Sequence, residues 1–160
     1  ENLEEAERMT MIAVSKQPGN HSFLDSLAWA RYKLGKLEDT RTQRGAVSLL
    51  QEAFRTAQTL DDRTSSPVLG DHLGDALWAA GRTEEALRVW EDALPLAGSL
   101  LLGFNIEPDA DRASVPPVLL TYVDLHGALV AKVDAARAGR QPPIAPPHGP
   151  GYTPPADDAP

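Results

Sequence analysis

The chain has 160 residues and a formal net charge of −8, and hydrophobic residues make up 42% of it. This length and apolar content suit one folded domain, while the acidic charge repels nucleic-acid phosphates and anionic membrane surfaces, so we expect neither as a partner. The sequence has no cysteine, which excludes disulfides and thiolate metal sites and leaves the compartment, cytoplasmic or periplasmic, undetermined. It also has no run of about 20 apolar residues, so we expect a soluble chain without membrane insertion.

The first segment, 1–20, has the pattern of one amphipathic helix. Ala6, Met9 and Ala13 fall on one face, and Pro18 stands where the helix would end. Since no first helix precedes it, we expect this segment to be the second half of a helical hairpin, in the carboxy-terminal part of a longer protein. Its apolar face would then need a preceding unit, or a second copy of the chain, to cover it.

Two central segments, 27–35 and 73–81, have closely similar sequences. Each begins with Leu and a small residue, places an aromatic residue five positions after the Leu and ends on Gly. A second stretch with apolar residues at helical spacing follows each, from Ala46 to Phe54 and from Ala86 to Leu94. Both copies therefore predict two antiparallel helices joined at a Gly turn, and the small residues predict a close approach between the helices.

The carboxy-terminal third contains one more helical pattern and then a proline-rich tail. After an expected loop over 99–113, apolar residues recur at three- and four-residue spacing over 115–138 and stop before Gly139, which predicts a terminal amphipathic helix. These apolar residues are Val118, Tyr122, Leu125, Leu129, Val133 and Ala136. From 140 to 160 we expect a disordered linker, although Pro142 to Pro147 could also serve as a ligand for an aromatic groove.

The duplicated hairpin resembles the tetratricopeptide repeat (TPR), whose units of about 34 residues carry Leu-Gly, aromatic residues, a turn Gly and Ala at fixed spacing. The residues that match are Leu73, Gly74, Trp78, Gly81, Ala86, Trp90 and Ala93. The resemblance is to bacterial members of the family and implies an all-α superhelix of stacked antiparallel hairpins. It implies a domain over 1–139, with a half repeat over 1–20, repeats over 21–60 and 67–98, and a capping helix over 115–138.

The first unit departs from the family pattern at three points. Arg31 stands where the family has a large apolar residue, Ala28 replaces the usual Gly, and about six extra residues lie within 36–45. We therefore expect an irregular inner turn in this unit.

The resemblance also implies where a partner would bind. Proteins of this family line a concave groove with the exposed face of each first helix, and the corresponding residues here combine aromatic rings with carboxylates. These residues are Asp25, Trp29, Tyr32, Lys33, Asp71, Asp75 and Trp78. Aromatic rings anchor protein partners and carboxylates favour Lys or Arg, so we predict a protein or peptide partner with basic residues. The alternative is that Tyr32 and Trp78 belong to the core.

Motifs of catalysis are absent from the sequence. It has no Gly-x-Ser-x-Gly, no phosphate-binding Gly-rich motif and no His-Glu-x-x-His. His72 lies beside Asp71 and Asp75 but lacks the spacing of a metal site, and a polar group on a helix face explains it more simply. We therefore predict a non-catalytic scaffold without cofactor or metal. The alternative function is a structural segment that packs on preceding repeats or associates with itself.

Overall fold

The fold is a consecutive series of helices in a computed structural model that describes residues 2–148. Within that range the chain forms six α-helices, two 3₁₀ turns and no strand. The helices are α1 (Leu3–Lys16), α2 (His21–Lys33), α3 (Ala46–Thr59), α4 (Ser65–Ala79), α5 (Thr83–Gly103) and α6 (Leu120–Arg137). Each helix packs against the next one in the chain, which confirms the predicted all-α class. None of the helices in residues 2–148 is both long and apolar enough to cross a membrane.

The two Gly turns of the duplicated segments close α2 and α4 in the same way. Gly35 and Gly81 have φ angles of 73° and 78°, a left-handed conformation that side chains with a Cβ rarely adopt. After Gly35 the Lys36 N–H donates to the Arg31 carbonyl (2.8 Å), and after Gly81 the Arg82 N–H donates to the Leu77 carbonyl (2.9 Å). These bonds satisfy carbonyls at the helix ends while the chain reverses into the next helix. The repeated sequence thus corresponds to a repeated backbone turn.

Small residues set the distance between the paired helices, as the sequence predicts. Ala28, Ala46 and Ala86 have no exposed surface, and Trp90 of α5 is equally buried. Gly74 of α4 lies directly against that Trp90 ring, where a methyl group would come within 2.1 Å of the indole Nε1. This contact allows α4 and α5 to pack closely over one of the largest side chains in the core.

Arg31, which departs from the apolar residue of the family pattern, joins α1 to the inserted turn. Its guanidinium is buried and donates from Nε to the Glu7 carboxylate (3.1 Å) and from Nη1 to the Arg44 carbonyl. Glu7 also accepts bonds from Lys36 (2.5 Å) and Gln43 (2.9 Å). Burial alone would raise the pKa of Glu7, but the bonds from Lys36 and Arg31 outweigh burial and lower it. The irregular turn is therefore fixed by a polar network.

The region between the second hairpin and α6 differs from the sequence prediction. The helix expected to end near residue 98 continues to Gly103, because Ala97, Leu100 and Leu101 extend its buried face. The last helix begins at Leu120 instead of 115, since Pro117 starts a short 3₁₀ turn. Val118, expected on the buried face, is consequently 77% exposed.

Candidate functional site

The predicted binding surface is built around stacked rings that connect α2 with α4. Trp29 stacks on Tyr32 within α2 (4.8 Å between ring centroids) and on His72 of α4 (4.4 Å). Asp25 Oδ1 lies 2.7 Å from His72 Nδ1, which adds a polar link between the helices. We use the name α2–α4 face for the surface formed by Asp25, Trp29, Tyr32, Lys33, His72 and Trp78.

An open cavity of about 590 Å³ lies at one end of the α2–α4 face. Asp25, Trp29, Lys33 and His72 contribute to its wall, and α1 closes the opposite side. Lys33 Nζ lies 5.1 Å from the Trp29 ring centroid, a distance at which a cation is attracted to the aromatic face. The cavity therefore combines an aromatic floor with one cation and one carboxylate.

Two of the predicted carboxylates, Asp71 and Asp75, are occupied by a lysine of α6. Lys132 Nζ lies 2.6 Å from Asp71 Oδ1 and 2.7 Å from Asp75 Oδ1, and its side chain is only 5% exposed. Burial raises the pKa of Asp75 to about 6, Lys132 opposes this rise, and the charge of Asp71 adds to it. These carboxylates hold α6 against α4, so they are not open to a basic partner.

His72 is the titratable group that the structure places at the centre of the α2–α4 face. Burial lowers the pKa of His72, but the hydrogen bond and charge of Asp25, together with Asp71 and Asp75, outweigh burial and raise it above its ordinary 6.5. The folded chain binds the His72 proton more tightly than the unfolded chain, so protonation of His72 stabilises the fold. This stabilisation is complete below pH 6.5. It is lost as the pH rises through the pKa of the folded state.

We expect Asp25→Asn to lower the pKa of His72. The charge of Asp25 and its hydrogen bond to His72 oppose the effect of burial most strongly, and the substitution removes that charge. Titration of the histidine ring protons by NMR measures this shift. His126 is the internal control, because burial alone lowers its pKa and the substitution should leave that value unchanged. An unaltered His72 titration in Asp25→Asn would show that the 2.7 Å contact does not form in solution.

Residues 141–148, expected to be a disordered linker, instead lie across the ends of α4 and α2. The indole Nε1 of Trp78 donates to the Gln141 side chain (3.3 Å), the Tyr32 hydroxyl donates to the Ala145 carbonyl (2.5 Å), and the His148 N–H donates to the Lys33 carbonyl (2.9 Å). Pro142 and Pro147 are buried. The segment has no apolar run of its own, so its order comes from these contacts. The rest of the expected tail, 149–160, lies outside the described residues.

Comparison with known proteins finds no match. No protein-family model, no curated protein and no solved structure is similar enough to this chain to indicate a relationship. Within residues 2–148, no group of three or more His, Asp or Glu side chains is arranged to hold a metal ion. The functional interpretation therefore depends on the contacts of the chain itself.

The seven predicted residues divide into three groups. Asp25, Trp29 and Lys33 share the cavity, while Tyr32 and Trp78 contact the segment 141–148. Asp71 and Asp75 bind Lys132. Tyr32 has no exposed surface, since Trp29 and the segment cover it.

Three residues of this region were not predicted: His72, Lys132 and Gln141. The sequence did contain a signal for Lys132, because it lies between Leu129 and Val133 on the apolar side of α6. A lysine at such a position usually has a buried acidic partner.

Proposed function

We propose that the protein is a non-catalytic scaffold of tetratricopeptide type that binds an extended peptide segment of another protein along the α2–α4 face. The observation that carries this proposal is the seating of residues 141–148, whose backbone accepts a hydrogen bond from Tyr32 and donates one to Lys33. A surface that holds one extended segment through backbone bonds has the donors and acceptors to hold another. The duplicated hairpins, with their matching Gly turns and buried small residues, support the repeat architecture.

The charges of the surface narrow the expected partner. The sequence predicts basic residues in the ligand because of three carboxylates, but two of them bind Lys132 and the third contacts His72. Asp25 is thus the one predicted carboxylate that a basic ligand residue could bind, and that residue would compete with His72 for Asp25. Aromatic stacking and backbone hydrogen bonds then supply most of the affinity.

Substitution of Trp29 tests this function. Peptides selected from a random library on the immobilised full chain are expected to lose at least ten-fold in affinity for Trp29→Leu, because a buried aromatic anchor contributes about 2 kcal/mol or more. Phe104→Leu is the matched control, since Phe104 is an exposed aromatic residue outside the α2–α4 face. An equal loss of affinity in both variants contradicts the proposal. So does a bound peptide that protects backbone amides from hydrogen exchange in helices other than α2 and α4.

A second candidate function is self-association through α1. Met9, Met11 and Ile12 are 61%, 47% and 46% exposed, and they place apolar surface on the outer side of the first helix. Light scattering of the full chain distinguishes this function from the first, because self-association gives a mass that rises with concentration and that Ile12→Lys reduces. A monomer at all concentrations excludes it.

A further inference from the structure

The contacts of residues 141–148 define the kind of peptide that the α2–α4 face accepts. We infer that this face is a receptor for proline-rich, uncharged segments of another protein, and that residues 141–148 occupy it as an intramolecular competitor. The inference rests on the proposed function, because it assigns a ligand class to the same surface. It also assigns a regulatory role to a part of the chain that the sequence alone identifies as a linker.

The apolar contacts select proline and a branched aliphatic residue. Pro142 and Pro147 are buried, and Ile144 between them packs against the main core of the helices. The ring of proline fixes φ, so ordering such a segment costs less conformational entropy than ordering a flexible one. The face therefore contacts three apolar residues of a segment whose backbone conformation is already restricted before it binds.

The polar contacts suit a segment that has few N–H groups. Carbonyls in a proline-rich stretch are open acceptors, and the Tyr32 hydroxyl donates to the carbonyl of Ala145. The indole N–H of Trp78 donates instead to the side-chain oxygen of Gln141, just before the first proline. The Lys33 carbonyl at the end of α2 accepts from the His148 N–H (2.9 Å), so the ligand needs a residue other than proline at this position. The ligand pattern is thus a proline, an aliphatic residue two positions later, a second proline three positions after that, and an N–H donor at the next position.

The charged groups around the face already have partners, which favours an uncharged ligand. Asp25 contacts His72, Lys33 lies over the rings of Trp29 and Tyr32, and Lys132 holds the remaining carboxylates. A charged ligand side chain would have to displace one of these contacts. A proline-rich segment leaves all of them in place.

The tether makes the intramolecular segment a strong competitor. Gln141 follows the end of α6 at Arg137 by only a few residues, and short tethers give effective concentrations on the order of millimolar. A partner of the same class therefore needs further contacts before it can displace the segment. The cavity of about 590 Å³ offers them, since it borders His148 at the end of the segment.

Binding of a synthetic peptide to full-length variants tests the inference. The probe is a fluorescently labelled peptide with the sequence of residues 141–148, and its affinity is measured by anisotropy. We expect Ile144→Asp to bind the probe at least ten-fold more tightly than the wild-type chain, because the charge expels the tethered segment from an apolar position. Pro143→Asp is the matched control, since Pro143 is exposed and the same charge there should leave the affinity at the wild-type level.

Two further variants address the hydrogen bonds directly. In the Ile144→Asp background, Tyr32→Phe is expected to weaken binding about five-fold, the usual effect of losing one hydrogen bond. A probe carrying His148→Pro should lose affinity similarly, because it cannot donate to the Lys33 carbonyl. Circular dichroism shows whether each variant is folded.

The possible outcomes separate this inference from the proposed function. If folded Ile144→Asp binds the probe no more tightly than Pro143→Asp, the inference is overturned. If a lysine-rich peptide of equal length binds Ile144→Asp and the proline-rich probe does not, the ligand class is wrong and the proposed function stands. If neither peptide binds Ile144→Asp, both are overturned. Dimers of the wild-type chain that Ile144→Asp abolishes would identify the occupant as a second copy and likewise overturn the inference.

Discussion

Gly74→Ala is expected to destabilise the protein by about 3 kcal/mol, at the upper end of the usual cost of adding volume to a packed core. A Cβ at this position would lie 2.1 Å from Nε1 and 2.4 Å from Cδ1 of Trp90, far inside van der Waals contact. The Trp90 ring cannot move away easily, because it is fully buried and its Nε1 donates to the Asp71 carbonyl (3.3 Å). Urea denaturation followed by circular dichroism measures the loss.

Gly127→Ala is the matched control for this substitution. Gly127 also lies within a helix, but a Cβ there meets no atom within 4 Å. Alanine is favoured over glycine in a helix interior by about 1 kcal/mol, so the control should stabilise the chain. A Gly74→Ala variant as stable as Gly127→Ala would mean that α4 and α5 do not approach each other as described.

Lys132→Met is expected to cost about 3–5 kcal/mol at pH 8, because it leaves two buried carboxylates without their cation. Asp71 and Asp75 both bind the lysine, and burial already raises the pKa of Asp75 to about 6 while the lysine is present. Without the lysine the pKa of Asp75 rises further above its value in the unfolded chain, so the variant loses stability as the pH rises. The destabilisation should therefore be smaller at pH 5 than at pH 8, as denaturation at the two pH values measures.

Two companion variants identify the origin of this loss. Lys16→Met removes an exposed lysine at the end of α1 and should change the unfolding free energy by less than about 0.5 kcal/mol. Adding Asp71→Asn and Asp75→Asn to Lys132→Met should recover part of the stability, because the uncompensated charges are then gone. A Lys132→Met loss that is independent of pH would contradict the buried cluster.

The helices and their turns were predictable because their signals are local. Gly35 and Gly81 follow a helical pattern in sequence, and a left-handed turn after a helix depends on the neighbouring residues alone. The end of α5 was predicted too early, because Leu100 and Leu101 extend the buried face beyond the matching part of the other copy. Local patterns thus locate the elements well and their ends less well.

The composition of the binding surface was less predictable because it depends on contacts between distant parts of the chain. Lys132 is 61 positions from Asp71, and Ala145 is 113 positions from the Tyr32 hydroxyl that binds it. The sequence of residues 141–148 is compatible with a linker and with a ligand for an aromatic groove, and it does not decide between them, since the donors that hold the segment belong to α2 and α4. The sequence therefore indicated the aromatic residues and carboxylates but not what each of them contacts.

The polar network around Glu7 means that the two ends of the helical series respond to acidity in opposite ways. The lowered pKa of Glu7 stabilises the contact of α1 with the inserted turn at neutral pH, and this stabilisation fades as the pH falls below about 4.5. The raised pKa of Asp75 acts in the reverse direction, since the folded chain gains from its proton and loses that gain between pH 3.8 and about 6. Strong acid thus removes the stabilising contribution of Glu7, while a rise of the pH to about 6 removes the contribution of the Asp75 proton. Together the two groups favour the folded chain most in mildly acidic solution.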